Sequence, residues 1–85
     1  MVTGQEHARH TAALSRLVLS GWRGTPVGDP TEPAALVYVH ERGGVSDAVV
    51  VQGCDEAVAT REVLGRTVRA VDGPAAEVVH EVLSW

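Results

Sequence analysis

A few groups in this chain have types and spacings that could support chemistry. His7 and His10, three residues apart in a helix-forming stretch, could offer two imidazoles to a metal. Zinc needs three or four ligands, and Cys54, His40 and His80 have no zinc-motif spacing to one another or to this pair. The two histidines are therefore expected at a frayed helix start, with no metal and no cofactor. Cys54 precedes Asp55 at an expected helix N-terminus, where backbone N–H groups would stabilise a thiolate, but Asp55 and Glu56 act in the opposite direction. A structural cysteine is expected. Gly53 between a strand and that helix has the form of a phosphate-binding turn, yet a single glycine is a weak signal, and Asp55 as N-cap would occupy the donors a phosphate needs.

His40 and Asp47 are the one imidazole–carboxylate pair that strand register brings side by side, an arrangement able to orient a general base. No nucleophile stands beside it, and the neighbouring Glu41 and Arg42 mark a solvated hairpin tip. Trp22 and Trp85 are the two tryptophans, and both follow helix ends outside the regular apolar stripes. Capping of the core is one use for them. Anchoring an interface is the other, because tryptophan is over-represented among binding hot spots.

These groups must be positioned by a small set of elements. Thr3 and Glu6 have the form of a capping box, and Leu14, Leu17 and Val18 recur at helical spacing up to Gly21, so a helix is expected from about residue 4 to a C-cap at Gly21. "RGTPVGDPTEP" is expected to be a loop, with three of the four prolines. Residues 35–40 and 48–51, β-branched or aromatic and joined through Gly43-Gly44, predict a hairpin. A two-residue turn pairs Arg42 with Val45, His40 with Asp47, Tyr38 with Val49 and Leu36 with Val51. Residues 55–64 fit a helix capped by Asp55 or an alternating strand. The helix is preferred, since Asp and Glu at its start and Arg later suit the helix dipole. "RTVRAV" predicts a further strand, and Asp72-Gly73-Pro74 opens a last helix with Ala75, Val78, Val79, Val82 and Leu83 on one face.

Eighty-five residues, 45 % hydrophobic and 21 % charged, make one globular domain spanning 1–85. A net charge of −4 argues against nucleic acid as a partner. No segment approaches the roughly 18 apolar residues of a membrane span, and the charged start does not resemble a signal peptide, so a cytoplasmic protein with no membrane partner is expected. All seven basic residues are arginine, and Lys, Asn, Ile and Phe are absent, which points to a GC-rich genome.

Three stretches, "VLSGW", "AVVVQGCDEAVATRE" and "VRAVDGPAAEVVHEVLSW", resemble a group of short uncharacterised proteins of high-GC actinobacteria. The resemblance implies a bacterial, cytoplasmic protein and carries no catalytic residue with it.

The expected fold is α+β: helix, β-hairpin, short helix or strand, strand and C-terminal helix, with the helices packed on one sheet face. Both faces of the hairpin are apolar in mid-strand, which is the pattern of strands covered on both sides or of a sheet that meets a partner. Three helices of modest length cannot easily cover both faces, so a partner is expected. The expected function is that of a non-catalytic accessory or interaction module that associates with itself, as a homodimer, or with another protein, through a sheet face or edge. Trp22, Tyr38, His40, Asp47 and Trp85 are the candidate binding residues. A small enzyme or ligand-binding protein with its site near His40 and Asp47 is the alternative.

Overall fold

The structure is a computed structural model that describes residues 4–29 and 31–85, the side chains of residues 5–7 excepted. Helix α1 (Gly4–Leu19) precedes five strands, β1 (Arg23–Asp29), β2 (Glu32–Arg42), β3 (Val45–Gly53), β4 (Glu56–Val63) and β5 (Arg66–Gly73), and helix α2 (Ala75–Val82) follows them. The strands form one antiparallel meander in the order β1-β2-β3-β4-β5. The expected α+β class holds, with both helices on one face of the sheet.

Local chemistry explains most of the boundaries. At the end of α1, Gly21 takes φ +91°, its N–H donates to the Val18 carbonyl, and the Trp22 N–H donates to the Leu17 carbonyl at 3.0 Å. This is the Schellman arrangement, and it turns Trp22 back into the core. The expected capping residue Thr3 and the Glu6 side chain lie outside the described residues. Gly43 and Gly44, at φ +57° and +81°, form the two-residue turn, and the hairpin register is the one expected, His40 opposite Asp47 included. At the start of α2, the Ala75 N–H donates to the Cys54 carbonyl at 3.0 Å, tying the helix to the β3–β4 turn.

Two expectations are corrected. Residues 55–64 form β4 and its turn, not a helix, so Asp55 caps nothing and Cys54 sits in a turn. As a strand the segment buries Ala57 and Ala59 beneath α2 and pairs with both β3 and β5; as a helix it would leave two strand edges without partners. The supposed loop at 23–33 holds β1 and the start of β2. Every residue of β1 is exposed, so it has no apolar alternation to announce it. It is an edge strand, where Pro26 is tolerated, and Gly24 lies against the Tyr38 ring.

The core lies between the sheet and the helices. Tyr38, Val49, Val51, Ala57 and Ala59 meet Ala13, Leu17, Trp22, Ala75, Val78, Val79 and Val82. α2 rests on β4 with further contacts to β3 and β5, and α1 packs against α2 and the start of the sheet at β1.

Candidate functional site

The five candidate residues all fall on the helix-bearing side. One step beyond the core row Tyr38–Val49–Ala59–Val71, cross-strand pairing sets His40, Asp47, Arg61 and Arg69 side by side across β2 to β5. Trp22 stacks on His40 with ring centroids 5.5 Å apart and planes 24° apart. Trp85 lies over the far end of the row, 5.6 Å from the Arg61 guanidinium carbon and 5.8 Å from that of Arg69. An aromatic ring therefore closes each end of a polar row at the margin of the core.

Arg61 decides what the row can do. Its Nε donates to Asp47 Oδ1 at 2.7 Å and its Nη2 to Oδ2 at 2.8 Å, a bidentate fork on a carboxylate that is 5 % exposed. The hydrogen bond that Arg61 donates to Asp47 holds the guanidinium above its already high ordinary pKa. Both Asp47 oxygens are thus occupied by Arg61, and His40, although its neighbour in register, is stacked on Trp22. Arg61 and Arg69 are like charges directly opposite each other, an unfavourable pairing that Asp47 and the Trp85 ring offset. Tyr38, buried in the next row, has its phenol pushed above the ordinary value of 10.0 by that burial.

Sequence reasoning missed Arg61 and Arg69. Their signal was the alternation in "AVATREV", which places Arg61 on the same face as Ala57 and Ala59 once the segment is a strand. A cleft of about 470 Å³ beside His40, lined also by Gly21, Arg23 and Glu41, does not reach Asp47. Among the described residues no group of three or more His, Cys, Asp or Glu is placed to hold a metal; the His7 side chain lies outside them.

The other face of the sheet carries no helix among the described residues. Two rows cross it: Arg23, Val39, Ala48, Thr60 and Ala70, and beside them Thr25, Val37, Val50, Val58 and Asp72. The centre is small and apolar, with Val58 41 % exposed and Val37, Val39, Ala48 and Val50 partly so. Arg23 stands at the β1 edge and Asp72 at the β5 edge, while Glu41 and Glu62 lie beyond the apolar rows at the turn end.

Comparison with protein-family models, with curated proteins and with solved structures gives no match. No helix among the described residues is long and apolar enough to cross a membrane.

Proposed function

We propose that the chain is a non-catalytic interaction module that pairs with a second copy through the open face of its sheet. The observation that carries this reading is the contiguous apolar centre formed by Val37, Val39, Ala48, Val50 and Val58 on a face that no helix among the described residues covers. Five strands ~4.8 Å apart, each with about six paired residues rising ~3.3 Å, give a face of roughly 24 by 20 Å before side-chain relief is counted. That flat area, roughly 480 Å², is short of the about 600 Å² per partner at which stable interfaces begin, so the pairing draws on side-chain relief to reach that size.

A second copy is favoured over an unrelated cover because the face is self-complementary. A twofold axis along β3 sets β1 of one copy over β5 of the other, which places Arg23 over Ala70, two residues along the strand from Asp72. Glu41 and Glu62 remain at the rim in water. Trp22 and Trp85 lie on the helix side and take no part in this contact.

Light scattering at micromolar concentration is expected to give about twice the 9.0 kDa chain mass. Val50→Asp, at the centre of the face, is expected to halve that mass and leave the far-ultraviolet circular dichroism unchanged. A monomeric parent, or a variant that remains dimeric, refutes the reading.

A further inference from the structure

Four of the seven arginines gather at the turn end of the helix-bearing face, in a chain whose net charge is −4. Arg61 and Arg69 belong to the polar row, and the next row outward is Arg42, Val45, Val63 and Arg66. Among the described residues, Arg61 alone of these four is paired with a carboxylate. Arg42, Arg66 and Arg69 form no ion pair among the described residues.

Apolar side chains are interleaved with these charges without serving the core. A bulge in β5 leaves Val68 unpaired and sets it beside Arg69, 55 % exposed, in a depression of about 600 Å³ that also contains Trp85, Ser84 and Glu81. Leu64, at the β4–β5 turn, is 85 % exposed and has φ +51°. Leucine rarely adopts this left-handed conformation, and the turn would form more easily with asparagine. Its side chain comes near Gly44 of the adjacent turn, and no core contact explains it.

We propose that this corner docks an acidic segment of a partner protein. Arg66 and Arg69 take its carboxylates, and one apolar side chain seats on Trp85 and Val68, with Leu64 as a second apolar contact. Charge complementarity selects the partner: guanidinium forks match carboxylates, and arginine and tryptophan are the residues most often found at binding hot spots. Glu81 on the α2 wall of the depression repels carboxylates and so directs them to the β5 side. Only β5 and the end of α2 line this depression, which leaves room for an extended chain rather than an enclosed small molecule. The corner lies on the face opposite the proposed pairing surface, so the two proposals stand or fall separately.

The probe is a fluorescein-labelled peptide of alternating glutamate and leucine, followed by anisotropy. Its control has glutamine in place of glutamate. Saturable binding of the acidic peptide alone is expected, weakened about tenfold by Arg66→Gln with Arg69→Gln. Leu64→Asn, which suits the turn better, is expected to raise Tm and still weaken binding about threefold, a combination that misfolding cannot produce. Equal binding of the two peptides, unchanged affinity in the arginine double variant, or tighter binding to phosphatidylglycerol vesicles than to the peptide would each overturn the proposal.

Discussion

Besides its ladder with β2, β1 is seated by the close fit of Gly24 against the Tyr38 ring, and replacing Gly24 tests that fit. A Cβ at this position would stand 2.7 Å from Tyr38 Cε1, 3.1 Å from Cδ1 and 3.3 Å from Cζ, all inside the optimum carbon–carbon contact of about 3.5–4.0 Å. The ring cannot simply retreat, because Tyr38 is 8 % exposed and packed in the core. Backbone strain is not involved, since Gly24 is not among the residues with positive φ. Gly24→Ala should therefore cost about 1–3 kcal/mol through overpacking, against a total stability on the order of 4–13 kcal/mol for a chain of this length. Tyr38→Val alone should cost about 2–4 kcal/mol by emptying the same space. In that background the added methyl meets no ring, and Gly24→Ala should cost less than about 0.5 kcal/mol. Urea denaturation of the four proteins, with m held constant, measures the cycle. If Gly24→Ala costs the same in both backgrounds, or nothing in the parent, the Tyr38 ring is not what seats β1.

Three further outcomes follow from the polar row and its surroundings. Burial raises the Tyr38 pKa, so the folded state holds the phenolic proton more tightly than the unfolded chain; the resulting stability is complete below pH 10.0 and is lost as pH rises through the folded value, and Tyr38→Phe should remove that alkaline loss from a pH series of urea melts. Arg61→Met should destabilise the fold by leaving the buried Asp47 carboxylate unpaired, and adding Asp47→Leu should recover most of the loss; a double variant no more stable than Arg61→Met in thermal melts would show that the pair is not what matters. Leu64→Asn should stabilise the β4–β5 turn by about 0.5–1 kcal/mol in urea melts, and a loss of stability would show that Leu64 is needed by the fold itself.

Much of the local structure was legible in residue types alone. Gly43-Gly44 dictated the two-residue turn and with it the whole β2–β3 register, because both positions need positive φ and glycine adopts it without steric cost. The Val78, Val79 and Val82 stripe and Pro74 defined α2, and Gly21 defined the end of α1. The pairing of His40 with Asp47 was legible for the same reason. Its chemical meaning was not, since the group that holds Asp47 comes from a strand whose own identity was ambiguous.

Where local preferences were balanced or absent, the tertiary structure decided. Residues 56–63 suit a helix or a strand almost equally, and the unpaired edges of β3 and β5 settled the matter. β1 has no buried residue and contains a proline and two glycines, so only the neighbouring β2 and the Tyr38 ring make it a strand. The sequence shows apolar residues on both sides of β2 and β3 but cannot say which side the helices will cover. That depends on where the chain turns back after Trp22 and Gly73, a long-range geometry set by packing and not by any local residue pattern.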